Sequence, residues 1–145
     1  MRKSIHSIAY CGLYCGDCFI YKGRIADLSR DLRKELRRSK FDRFAGVIGK
    51  FFKQYRNYDK TYELLGMMVK LRCKRTCRNG GGAPVCKIRN CCARKGIMGC
   101  WECETFEQCQ KLDFLKAVHD DAHIKNLRII KRKGVKQFIR GKKFW

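Results

Sequence analysis

Hydrophobic and polar positions along the chain fall into several helical patterns. From Tyr21 to about Arg38 the apolar residues Ile25, Leu28, Leu32 and Leu36 recur at three- and four-residue steps between charged neighbours, predicting an amphipathic helix. A second helical pattern carries Phe41, Phe44, Ile48, Phe51, Phe52 and Tyr55 on its apolar stripe, with Gly46 and Gly49 weakening it. A third runs from about Tyr58 to Arg72 through Tyr62, Leu65, Met68 and Val69, and leads into Cys73 and Cys77. Aromatic residues at this spacing are expected in the core, and the lysines between them on the solvated face.

The pattern changes after Cys73. A glycine turn, RNGGGAP, precedes CKIRNCCARKG, which reads as a short helix closed by Gly96. GCWECETFEQC follows, then a helix from about Glu107 to Leu115. Asp120 and Asp121 are expected to cap the next helix, AHIKNLRIIKRKG, ended by Gly134. A last short helix, VKQFIRG, leads to KKFW. The fold expected is all-α, or mainly α with little strand: one small cysteine-rich domain over residues 1–145, stapled by metal sites.

Composition changes this picture in two ways. The net charge is +22, from 35 basic and 13 acidic residues, which attracts polyanions. From Ile124 onward the chain has no acidic residue. The basic tail, residues 120–145, offers Lys131, Arg132, Lys133, Lys136, Arg140, Lys142 and Lys143 to nucleic acid or another polyanion.

The second change is the cysteine count of 11, which admits disulfides or metal. No apolar run of signal-peptide length opens the sequence, and no stretch approaches the roughly 18 apolar residues of a membrane span. The expectation is a cytoplasmic chain with reduced thiols, and hence metal. The odd number also argues against a closed disulfide set.

Ten cysteines in two segments, 9–21 and 73–112, are candidate ligands: Cys11, Cys15, Cys18, Cys73, Cys77, Cys86, Cys91, Cys100, Cys103 and Cys109. Cys15-x2-Cys18 and Cys100-x2-Cys103 are knuckles whose two thiolates meet one ion without strain. Cys73-x3-Cys77 and Cys86-x4-Cys91 suit one face of a helix turn. Soft thiolate donors suit zinc or an iron–sulfur cluster. Tetrahedral sites take four ligands each, so the expectation is about two zinc ions. One site would use Cys11, Cys15 and Cys18 with a donor from the central stretch; the other would draw on Cys86, Cys91, Cys100, Cys103 and Cys109. Cys92, beside Cys91, is expected to point elsewhere.

Rival patterns are weaker. Cys100-x2-Cys103 followed by His119-x3-His123 is a loose Cys2His2 arrangement, but Cys109 is a nearer thiolate and the histidines are expected to be exposed or capping. Cys11-x3-Cys15-x2-Cys18 has the spacing of the radical S-adenosylmethionine cluster motif, yet the chain is too short for the barrel of roughly 200 residues or more. The RNGGGAP loop lacks the lysine and hydroxyl of a P-loop and reads as a turn between ligands. No Ser-His-Asp set is legible, so the residues favour a non-catalytic protein, with an iron–sulfur protein in electron transfer or redox sensing as the alternative.

YCGLYCGDC near the start, followed by CKIRNCCARKGIMGCWECETFEQCQKL, resembles the bacterial and archaeal family catalogued as domain of unknown function 3795. The resemblance covers Ala9 to about Leu112, and the family's recurrent cysteines correspond to the ten candidates, with Cys92 the odd one out. It implies a cytoplasmic, metal-binding protein and supplies no reaction.

Overall fold

The structure, a computed structural model, describes residues 4–145. It is mainly α, as the periodicity predicts. The α-helices are α1 (Phe19–Lys22), α2 (Arg24–Arg38), α3 (Phe41–Ile48), α4 (Tyr58–Lys70), α5 (Lys87–Lys95), α6 (Lys116–His119) and α7 (Ala122–Arg140), joined by short 3-10 turns. Among the described residues there is no strand, only an isolated bridge between Ile8 and Tyr14. None of these helices is long and apolar enough to cross a membrane. The chain divides into two compact units: Lys22–Arg72, and the segments ending at Tyr21 and beginning at Cys73. Both cysteine-bearing segments therefore lie in one unit.

That unit is built around α7. Its buried face carries Ala122, His123, Asn126, Leu127 and Ile130 at helical steps. Gly134, at φ 78° and ψ 161°, breaks the helix where the sequence predicts an end, and the chain resumes to bury Phe138 and Ile139. Leu127 and Phe138 join Ile8, Ile88, Leu112 and Trp101 in one core. The C-terminus is clipped back onto α7. Asn126, fully buried, donates through Nδ2 to the Phe144 carbonyl at 2.8 Å and accepts from the Phe144 N–H at 2.9 Å. Gly12 allows the N-terminal loop to meet α7. Its φ is +87°, and a Cβ there would lie 2.8 Å from Leu127 Cγ.

Three local expectations change here. Residues 106–108 and 110–115 are 3-10 turns rather than a regular helix, with three-residue bonds from the Cys109 N–H to Phe106 O and from the Leu112 N–H to Cys109 O. Asp121 occupies the N-cap of α7 without a capping bond, since its carboxylate pairs with Lys125 at 2.9 Å. Asp120, at φ 46°, forms the turn before it.

The second unit, Lys22–Arg72, packs α2 on α4 through small residues. Ala26 and Ser29 form the buried line of α2, while Ile25, Leu28 and Leu32 stay 40–52% exposed. The stripe read from the sequence is thus rotated by about one residue from the face in contact. The cause is close packing: a Cβ on Gly66 of α4 would meet the Arg33 guanidinium at 2.8 Å, and Arg33 lies over the Tyr62 ring at 4.3 Å. Gly23, at φ 69°, separates α1 from α2. Its carbonyl takes a bond from Arg72, which also pairs with Asp27.

The second predicted helix stops at Ile48. Arg56 Nε donates to the freed Gly49 carbonyl at 2.8 Å, and the chain turns into a 3-10 segment, Lys53–Asn57. Phe41, Phe44, Tyr55 and Tyr58 contact one another edge and face. Phe51 and Phe52, expected in the core, are instead 77% and 57% exposed because they fall beyond the helix end.

Candidate metal centre

Short backbone bonds bring the two cysteine segments together. The Cys100 N–H donates to Tyr10 O at 2.9 Å, and the Cys73 N–H to Ile20 O at 3.1 Å. Arg78 adds side-chain bonds, donating from Nε to Ile8 O at 2.8 Å and from its terminal nitrogen to Met98 O. Its guanidinium lies 4.4 Å from the Tyr10 ring centre and 5.3 Å from that of Trp101. One planar cation thus grips the loop before Cys11 and the knuckle at Cys100.

All eleven cysteines are free thiols; Cys92 and Cys100 are buried and the other nine are half-buried. Around Cys77 lie the N-terminal thiols. Burial raises the Cys11 thiol to about 12, backbone hydrogen bonding at Leu13 pulls it back, and the neighbouring Cys77 and Cys86 push it further up. Cys15 is raised mainly by burial, eased by a bond from the Cys77 backbone, then raised again by Cys77, Cys18 and Cys73. Cys77 is raised by burial first and by Cys86 among others. Cys86 sits at the N-cap of α5, where its sulfur accepts from the Arg89 N–H at 3.5 Å. It lies with Cys11 and Cys77, not with the later thiols where the spacing placed it. Five residues turn about 140° around a helix, so Cys86 and Cys91 do not share one face.

The remaining thiols, Cys91, Cys92, Cys100, Cys103 and Cys109, line one open cavity of about 360 Å³ with Lys95 and Thr105. Cys92 does not point elsewhere. It shares the buried face of α5 with Ile88 one turn earlier, which sets its sulfur 3.7 Å from that of Cys100. The two share a hydrogen bond, so one of them loses a proton readily and the other, Cys100, holds its own far above the usual thiol range. Cys103 is the contrasting case. Backbone and hydroxyl hydrogen bonds at Thr105, and then Lys95 at 3.4 Å, lower its thiol.

Partly buried thiols that raise one another, as Cys11, Cys15 and Cys77 do, form an environment in which a divalent cation replaces protons. The donor chemistry therefore suits a soft metal. Among the described residues, however, no three His, Cys, Asp or Glu side chains are disposed to hold one ion: the sulfurs are neighbours, and no coordination polyhedron is formed.

The other candidate features resolve differently. Arg89 reaches across the glycine loop to the carbonyls of Cys77, Gly81, Ala83 and Pro84, and the Gly81 N–H is bonded to Thr76 O. The loop faces a cation with its carbonyls rather than an anion with its amides. His123 is completely buried, neither exposed nor capping, and both ring nitrogens are unpartnered; His119 contacts the Trp145 ring at 4.7 Å. Burial lowers the pKa of both. On the outer face of α7, Arg132, Lys133, Lys136 and Arg140 are exposed without an ion-pair partner among the described residues. Lys131 pairs with Glu104 at 3.5 Å, Lys142 lies over Phe144, and Lys143 lies over Tyr14. The basic side chains were legible as charge. Cys92, Arg78 and Arg89 as positioning groups were not.

Comparison with known proteins gives one match. Residues 7–114 fit the family described as Protein of unknown function (DUF3795), a span that contains all eleven cysteines. No curated protein and no solved structure matches.

Proposed function

The chain belongs to the DUF3795 family, and we propose that it is a metal-binding protein whose thiolates hold zinc in a structural role. The observation that carries this reading is the gathering of thiols. Cys11 and Cys15 come within electrostatic reach of Cys73, Cys77 and Cys86, and five more cysteines line a single cavity. Soft donors in that number suit about two tetrahedral ions. The residues that would hold them are Cys11, Cys15, Cys18, Cys73 and Cys77 on one side, and Cys91, Cys100, Cys103 and Cys109 on the other, with Cys86 beside Cys11. Bound zinc would supply cross-links among the cysteine-bearing loops, and its binding energy would become folding energy.

The test is elemental analysis and a visible spectrum of anaerobically purified protein. About two zinc per chain without visible absorbance is the expected result. Iron with a brown, oxygen-sensitive band would transfer the proposal to an iron–sulfur cluster in electron transfer or redox sensing. A metal-free chain with full helicity would overturn both.

The cations of α7 and the tail after it support a second role, retention of nucleic acid or another polyanion by Lys131, Arg132, Lys133, Lys136, Arg140, Lys142 and Lys143. Binding by phosphate contacts weakens steeply with salt. Failure to bind a nucleic-acid column at low salt would dispose of it.

A further inference from the structure

We infer that the end of the Lys22–Arg72 unit formed by α3 and the turn after it is a docking surface for an anionic lipid bilayer. Four apolar side chains stand in solvent there: Phe44 at 49% exposure, Val47 at 59%, Phe51 at 77% and Phe52 at 57%. Phe44, Val47 and Phe51 follow one another at three- and four-residue steps, and exposed apolar side chains grouped in this way mark an interaction site. Its border is basic. Lys40, Arg43, Lys50 and Lys53 are all exposed, and none has a carboxylate within ion-pair distance among the described residues. The acids of this region, Asp42 and Asp59, line a pocket with Tyr58, Arg56 and Lys50, so Lys40, Arg43 and Lys53 are the cations that stand apart from them.

Exposed apolar side chains interleaved in sequence with lysine and arginine match the boundary between headgroups and acyl chains, where the rings enter the apolar layer and the cations stay at phosphate level. A second copy of the same face would bring like charges together, so charge complementarity disfavours self-association. A nucleic acid would meet the cations but offers no layer for Val47. With no membrane-spanning helix among the described residues, the mode is attachment at the surface.

The test is co-sedimentation of the full chain with vesicles of mixed phosphatidylglycerol and phosphatidylcholine, against phosphatidylcholine alone. Binding to the anionic vesicles only, weakening with salt, is expected. Phe51→Ser and Phe52→Ser should each reduce partitioning by about tenfold, since each removes part of a buried-phenylalanine contribution. Lys50→Glu with Lys53→Glu should abolish it. These side chains are exposed, so circular dichroism of each variant should match the parent, and a variant that keeps its helicity but loses binding supports the docking surface. Three outcomes would overturn it: no binding to anionic vesicles, binding unchanged by the phenylalanine variants, or a dimer or RNA complex that the same variants disrupt while vesicle binding persists.

Discussion

Replacing Arg78 by alanine tests how the cysteine-bearing unit is held together. The side chain makes two hydrogen bonds to backbone carbonyls, at Ile8 and Met98, and lies over the rings of Tyr10 and Trp101. A bond from a charged donor is worth about 1.5–3 kcal/mol, and a cation over an aromatic ring about 0.5–2 kcal/mol. Arg78 is only half-buried, and contacts made by one group do not add in full. Arg78→Ala should therefore cost about 3 kcal/mol. With a urea slope near 1.5 kcal/mol/M, the unfolding midpoint falls by about 2 M. Trp101, 6% exposed and in contact with Arg78, supplies the fluorescence signal. Arg78→Lys should recover less than half of the loss, because an ammonium lacks the planar fork that spans both carbonyls. The comparison must hold zinc constant. A midpoint shift below about 0.5 M for Arg78→Ala, or full rescue by lysine, would refute the reasoning.

Two further substitutions probe α7 and its surroundings. Asn126→Ala removes both bonds to Phe144; we expect about 2 kcal/mol of destabilisation and faster tryptic cleavage at Lys142 and Lys143, and an unchanged cleavage rate would contradict the clip. His123 is held neutral by burial, with its pKa below the ordinary 6.5. The unfolded chain therefore binds the proton first as pH falls, and stability is lost as pH drops through and below that value. Thermal unfolding from pH 7 downward should show a shallower decline for His123→Leu than for the parent, by at most about 1.4 kcal/mol per pH unit. Equal slopes would show that other groups govern the acid side.

The helices were legible where local chemistry decides them. Tyr58 starts α4, Gly96 closes α5 in the left-handed conformation, and Gly134 breaks α7. The cysteines were legible as donors because short spacing is a local property. Their grouping was not. Cys92 meets Cys100, and Cys86 joins Cys11, through packing of α5 against distant loops. Arg78 and Arg89 were hidden inside a surplus of 35 basic residues, since nothing in sequence separates a positioning arginine from a solvated one. The exposure of Phe51 and Phe52 escaped the periodicity because the helix ends before them. The α2 stripe was misplaced because small residues, rather than the largest apolar ones, set the contact with α4.

The central claim is that these thiols are metal ligands, and the direct measurement is alkylation of the native chain with and without zinc, mapped by mass spectrometry. The account predicts that zinc protects Cys11, Cys15, Cys18, Cys73, Cys77, Cys86, Cys91, Cys100, Cys103 and Cys109, with chelation restoring their reactivity. Identical labelling of these ten cysteines in both states would contradict it.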